Sequence, residues 1–348
     1  MTSRNMVEAN VAIFSALDQY CLQKKNPITN AGKKRWIAST PTTRAILKEA
    51  SFESGISFSR GLKVARFDHK LDSYFFVIGL DLPVSNVGNF LDEIDVDGSL
   101  LTLALSELQP APSASDFQVR DIVEYDDGNR NPKYTGHQAS GVASLFPRIQ
   151  CYKSNDLSID ETQRAFFLLC LADSNHGPAW MDVDLKETFA SLSELSPTSI
   201  PYQTLCRSVF DTDPSSVFLA LYRCLEALYA YSHVTQLNGK LGLSKPWDQV
   251  AELLERQLGW RPREESSLEI LLRSAPLKHD LEEALDAMNI KLQANSDVFS
   301  VATKSIYQLR NSLVHYRPLH QQLNPQCIDW NRLCKAMCCL VHDAYESI

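Results

Sequence analysis

Arg310-Asn311-Ser312-Leu313-Val314-His315 lies in the long amphipathic run that decides the architecture of the C-terminal half. Ser296 or Asp297 is placed as an N-cap, Val298, Val301, Leu309, Leu313 and Tyr316 follow at helical spacing, and Pro318 closes the run. Leu309 and Leu313 mark the core side, which puts Arg310 and His315 on the flanks of a groove. Positions five apart on a helix differ by about 140°, so the reach of arginine closes only part of the gap between them.

Outward from this helix the same periodicity recurs. Asp213-Pro214 supplies an N-cap and first-turn proline ahead of Phe218, Leu221, Leu225 and Leu228. Val250, Leu253, Leu254 and Leu258 mark a second helix stopped by Gly259 and Pro262, and Leu281, Leu285, Met288 and Leu292 a third. Asn324-Pro325 is expected to open a last helix with Leu333, Met337, Leu340, Val341 and Ala344 inward. Five helices with short links predict an all-α bundle.

An arginine, an amide and a histidine within six residues are the groups that metal-free RNA cleavage needs. A ribose 2′-hydroxyl attacking its phosphate requires a proton acceptor, a donor for the leaving oxygen, and a cation on the developing phosphorane. Near a helix end, arginine and histidine also serve as favourable C-terminal cations, which is the structural alternative. Glu226, on the first bundle helix, is either a solvated acid or a group that positions Arg310 or His315.

The Arg310, Asn311, His315 pattern resembles the signature of HEPN domains, and Tyr222-Arg223-Cys224-Leu225-Glu226-Ala227-Leu228 resembles the first long helix of abortive-infection HEPN domains. The resemblance covers the C-terminal part alone. It implies a helical-bundle ribonuclease of the toxin or antiviral-effector kind, with Arg310, His315, Asn311 and Glu226 as catalytic candidates. It also implies a homodimer in which two such helices share one cleft. Some HEPN toxins carry a tyrosine two residues after the histidine, to which an antitoxin attaches AMP. Here Arg317 holds that position and the tyrosine is Tyr316, so neutralisation by that route is not expected.

The charge pattern adds constraints. The 348 residues carry a net charge of −8, which argues against a general nucleic-acid binder. Residues 200–348 hold 15 basic and 17 acidic residues, a balance of −2, so a local basic groove supplied by Arg310, Arg317 and Lys304 is compatible with the sequence; Lys304 and Arg317 are the expected RNA contacts. Residues 1–70 hold 12 basic and 5 acidic residues (+7), and residues 71–199 hold 7 and 20 (−13). No apolar run reaches the roughly 18–20 residues of a membrane helix, and the start of the chain lacks the apolar core of a signal peptide. A cytoplasmic protein is expected, with its nine cysteines as reduced thiols. Cys334, Cys338 and His342 share a helical stripe that reads as core packing, so no metal and no cofactor are assigned.

The N-terminal half mixes patterns. Val7, Val11, Phe14, Leu17 and Cys21 suggest an opening helix; Tyr74–Ile78 and Leu100–Leu105 are apolar runs expected as strands, Ile56–Phe67 alternates loosely, and Phe117–Tyr125 is a further strand candidate. Lys33-Lys34-Arg35-Trp36 is either a solvated loop or a phosphate contact with a base stacked on Trp36. Glu93–Gly98 fails as a calcium loop because its twelfth position is Ala104, and Asp126–Pro132 reads as a turn. Ser158 and Glu161 form a capping box, and Ser191–Pro201 is the best hinge. The expected class is therefore α+β, with a mixed domain over 1–195 and a helical bundle over 196–348. The expected function is a metal-independent endoribonuclease whose N-terminal domain senses a trigger or docks a regulatory or antitoxin partner. The alternatives are a non-catalytic RNA-binding or dimerisation module, or an acidic middle region that binds a basic partner.

Overall fold

Tyr74-Phe75-Phe76-Val77-Ile78 is the centre of an antiparallel five-stranded sheet, and its continuous apolar character follows from burial on both faces. The computed structural model describes residues 4–347 except 30–33, 42, 59–60, 83–90, 126–133, 156, 174–179, 196–199, 275–277 and 316–326. The chain divides into two units, Met1–His176 and Gly177–Ile348.

In the first unit, helices α1 (Met6–Gln23) and α2 (Arg44–Glu49) precede strands β1 (Ser51–Ser57), β2 (Lys63–His69), β3 (Asp72–Ile78) and β4 (Asp92–Ile94). Helices α3 (Gly98–Leu108), α4 (Asp116–Tyr125) and α5 (Ala139–Ala143) then lead to β5 (Ile149–Asn155) and α6 (Ile159–Leu171). The strand order is β1-β2-β3-β5-β4, and β5 enters between β3 and β4. Phe67, Phe76, Ile78 and Cys151 face Leu100, Leu103, Ala104 and Leu108 of α3. On the other face Phe75 meets Phe166 of α6 edge-on at 5.8 Å. The opposite side of α3 packs Leu101 and Leu105 against Phe14 and Leu17 of α1 and Val119 and Val123 of α4.

Two expected strands are helices. Leu100–Leu105 lies in α3, whose N-cap Asp97 accepts the amides of Ser99 and Leu100 at 3.0 Å each. The run is apolar throughout because α3 is buried on both sides, and its leucines favour helix over strand. Phe117–Tyr125 lies in α4, with Val119 and Val123 four apart on the buried face and Phe117 exposed. The Ile56–Phe67 alternation spans parts of two strands, with Ile56 opposite Val64. The capping box is present: Ser158 Oγ accepts the Glu161 amide at 3.2 Å, and Glu161 accepts the Ser158 amide at 2.7 Å. Ser158→Ala is expected to cost about 1 kcal/mol, measured as a lowered urea midpoint; an unchanged midpoint would contradict it.

The second unit comprises α7 (Val183–Ser191), a 3-10 turn (Leu192–Glu194), α8 (Tyr202–Val209), α9 (Pro214–Glu226), α10 (Tyr229–Leu241) and α11 (Trp247–Leu258). It continues with α12 (Glu264–Ser274), α13 (Lys278–Ala287), α14 (Val298–Val314) and α15 (Trp330–Glu346). Its start differs from the expected boundary at 195/196, because α7 packs on α15 and belongs with the bundle. Helix α15 is the axis of the unit, with α7, α9, α12 and α13 around it. Its Leu333, Met337, Leu340, Val341 and Ala344 are buried as expected, and Asp329 caps it; Asn324 and Pro325 lie outside the described residues.

The bundle has more helices than the five read from periodicity. Helix α9 stops at Glu226 and a new helix starts at Tyr229, so Leu228 lies between two helices. Helix α13 ends at Ala287, short of Leu292, and Asn289 follows in a left-handed conformation. Among the described residues, helices α7, α8, α10 and α12 are additional.

Candidate functional site

Helix α14 begins at its cap Asp297 and ends at Val314. Leu309 is fully buried and Leu313 half-buried, as the core side requires. His315 is the C-cap, with extended backbone (φ −113°, ψ 137°), and its amide donates to the Asn311 carbonyl at 3.0 Å. Arg310 is within the helix, whereas His315 is the exposed C-cap, whose amide makes the last intrahelical bond before its extended backbone turns the chain out of the helix. Tyr316, Arg317 and Pro318 lie outside the described residues.

Arg310 is the hub of a polar cluster on the bundle's helices. Its Nη2 donates to Glu226 Oε1 of α9 at 3.0 Å, and its Nη1 donates to Asn311 Oδ1 at 3.0 Å. Glu264, in the first turn of α12, lies 3.6 Å from Nη1. The guanidinium carbon is 5.7 Å from the ring centroid of Tyr222. Beneath it, the buried Tyr229 hydroxyl donates to the Tyr222 hydroxyl at 2.9 Å.

The electrostatics follow from partial burial. Desolvation raises the Glu226 carboxyl above its ordinary range, and this outweighs the opposing pull of Arg310. Burial alone would lower the Arg310 guanidinium, but Glu226 and Glu264 hold it above its usual value. Desolvation likewise raises the phenols of Tyr222 and Tyr229. An acid whose folded pKa is raised favours folding below its unfolded pKa, and that contribution is lost as pH rises through the folded value. Stability of the bundle is therefore expected to fall across that window above the ordinary carboxylate range. Glu226→Gln should flatten this slope in urea unfolding at a series of pH values, whereas an unaltered slope would show that Glu226 does not set it.

The expected residues are thus placed unevenly. Glu226, Asn311 and Arg310 come together. Asn311 is buried; its side-chain Oδ1 accepts from Arg310, and only its backbone carbonyl meets His315, through the His315 amide. Lys304 is exposed but sits six residues before Arg310, about 240° around the helix, so it faces a different side. Tyr222, Tyr229 and Glu264 complete the cluster without having been singled out in the sequence. A signal existed for the first two, since Tyr222, Glu226 and Tyr229 are spaced i, i+4, i+7.

Cys334 and Cys338 are fully buried on α15, and burial raises both thiols, as core packing requires. His342, on the same stripe, instead meets Asp343 and Glu346, each 3.7 Å from its Nδ1. The ligand atoms of these three residues lie within 4.8 Å of one another, so together they have the donor set and spacing to hold a metal ion. Among the described residues no helix is long and apolar enough to cross a membrane. No family model, curated protein or solved structure matches this chain.

Proposed function

We propose that the chain is a metal-independent endoribonuclease of the HEPN type, acting as a toxin or antiviral effector. The observation that carries it is the Arg310 cluster: one guanidinium oriented by Glu226 and Asn311 beside the helix exit that carries an exposed histidine. His315 takes the proton from a ribose 2′-hydroxyl, whose oxygen bonds to phosphorus as the bond to the 5′-oxygen breaks. The leaving oxygen takes a proton from the partner's His315 in a homodimer, giving a 2′,3′-cyclic phosphate and a 5′-hydroxyl. Arg310 stabilises the phosphorane, with Glu226 as its positioning residue. Arg317, just past the helix exit in sequence, is the proposed contact to a flanking phosphate; Lys304, on a different side of α14 from Arg310, is not carried into this scheme.

Glu264 gives this scheme its order of events. It is the longer and more exposed of the two acid contacts to Arg310, so an RNA phosphate displaces Glu264 while Glu226 keeps the guanidinium aligned. Glu264→Gln is expected to tighten RNA binding in a filter-binding assay, and weaker binding would remove the displacement step.

A second reading is a non-catalytic RNA-binding or dimerisation module in a defence or toxin-antitoxin complex, restrained by or docked to a regulatory protein. It is favoured by the same two carboxylates, which neutralise Arg310 as they stand. Induced expression of wild type beside Arg310→Ala and His315→Ala, with growth followed and total RNA run on gels, separates the two. Growth arrest with RNA fragments, lost in both variants, supports the ribonuclease. Intact RNA from wild type favours the binding module, and fragments persisting in both variants exclude this site.

A further inference from the structure

Helix α1 carries an exposed apolar pair that its core does not use. Ile13, Phe14, Leu17 and Cys21 are buried, whereas Val7 and Val11, expected on the same inner stripe, are 64% and 50% exposed. These two valines form one wall of a concavity of about 280 Å³ whose other sides include Trp36, Lys34 and Arg44.

Trp36 is held in place there. Its indole N–H donates to the Thr135 carbonyl at 3.1 Å, and Tyr134 packs edge-on with centroids 4.4 Å apart. A Cβ on Gly136 would lie 2.6 Å from the indole nitrogen, so the close seat of the ring depends on that glycine. Neighbouring backbone is tied down as well: the Ile37 amide donates to Asn10 at 2.9 Å, and the Ala38 amide to the His137 carbonyl at 2.8 Å. Trp36 nevertheless remains 40% exposed as a residue. A rigid, partly open aromatic is a preorganised stacking surface, because little conformational freedom is lost when a planar ring covers it.

The charges beside it are of one sign. Lys34 and Arg44 are exposed and form no ion pair among the described residues, and Arg44 is steered by Ser39, which accepts from its Nε and Nη2 at 3.1 Å each. Arg35 is buried and balanced by Asp18 at 2.9 Å. Asp97 accepts hydrogen bonds from the hydroxyls of Thr40 and Thr43.

We propose that this concavity binds a mononucleotide, with the base stacked on Trp36, the apolar side of the sugar and base against Val7 and Val11, and the phosphate between Lys34 and Arg44. One aromatic, two cations and a volume of this size suit a single nucleotide. A strand requires a series of stacking rings along a basic groove. The site lies in the first unit and its test is a binding measurement, so it stands or falls independently of RNA cleavage by the bundle.

The experiment is calorimetric titration of the 348-residue chain with the four nucleoside 5′-monophosphates, their nucleosides, and a short single-stranded RNA. Wild type is expected to bind at least one monophosphate. Trp36→Ala should weaken it by about 10-fold or more and Trp36→Phe by much less. Lys34→Gln with Arg44→Gln should weaken the monophosphate about 10-fold while leaving the nucleoside unchanged. Circular dichroism verifies the fold of each variant, and Trp36→Phe retains a stacking ring in the same seat. Absence of heat with every monophosphate at millimolar concentration overturns the proposal, as does affinity unaffected by these substitutions. Binding of the RNA with no mononucleotide binding also overturns it, in favour of a strand site.

Discussion

His315→Ala is expected to lower RNA cleavage by about 100-fold or more while leaving the unfolding midpoint unchanged. Both halves follow from its position. The residue is exposed at the end of α14, and what it gives to the fold is its backbone amide, which alanine retains. Arg310→Ala should lose cleavage to a similar extent but also destabilise the bundle, because it strips Glu226 of its closest cation. Leaving a partly buried carboxylate without that partner costs about 1–3 kcal/mol, toward the lower end because solvent still reaches the group.

The double variant Arg310→Ala/Glu226→Gln then separates the two contributions. Removing the charge that Arg310 no longer balances should restore much of the midpoint, with cleavage still absent. A purely structural Arg310 would instead lose activity only in proportion to the unfolded fraction, so recovery of cleavage together with stability in the double variant would refute its role at the phosphate. The measurements are urea unfolding and cleavage of a labelled RNA by the purified proteins.

Legibility in the sequence was greatest where one face is buried and a cap is explicit. Asp213-Pro214, the Ser158 capping box and the Gly259 stop all sit where they were read, because a local hydrogen bond or a φ requirement fixes them. Leu100–Leu105 reads as a strand but forms a helix, because an element covered on both faces loses its period, and strand and helix then differ only in length and side-chain branching. Helix α10 escaped because only Tyr229 and Val234 are buried along it. Helix α12 has a readable stripe in Leu268, Leu271 and Leu272, but Glu264 and Glu265 open it without an apolar residue.

For the candidate site, the sequence named Arg310, Asn311 and Glu226, and their meeting is a fact of tertiary packing. Glu226 and Arg310 are 84 residues apart, and only the packing of α9 against α14 brings them together. Glu264 was invisible for the same reason. Pro318 sets only an outer limit for this helix, and the chain leaves it at His315, three residues earlier.

Gly98→Ala is expected to be the most damaging single-methyl change in the first unit. A Cβ at Gly98 would lie 1.8 Å from the Ala38 carbonyl oxygen, 2.8 Å from its carbon and 3.3 Å from Ser39 Cα. All three are backbone atoms, so no side-chain rotation relieves the overlap; either the 36–39 segment or the start of α3 must move. The segment is anchored by the Ile37 and Ala38 hydrogen bonds, and α3 supplies leucines to both hydrophobic clusters. Displacing either disturbs packing that tolerates little change, and a loss of about 3 kcal/mol is expected, a large part of a typical domain's stability. Gly239→Ala is the opposing control. It lies inside α10 with nothing within 4 Å of its added methyl, and should gain about 0.5–1 kcal/mol through helix propensity. Hydrogen exchange read by mass spectrometry assigns each change to its unit: Gly98→Ala should speed exchange across α3 and β3, and Gly239→Ala should slow it in α10. Unaltered exchange in α3 would mean that the approach of Ala38 to Gly98 does not constrain the fold.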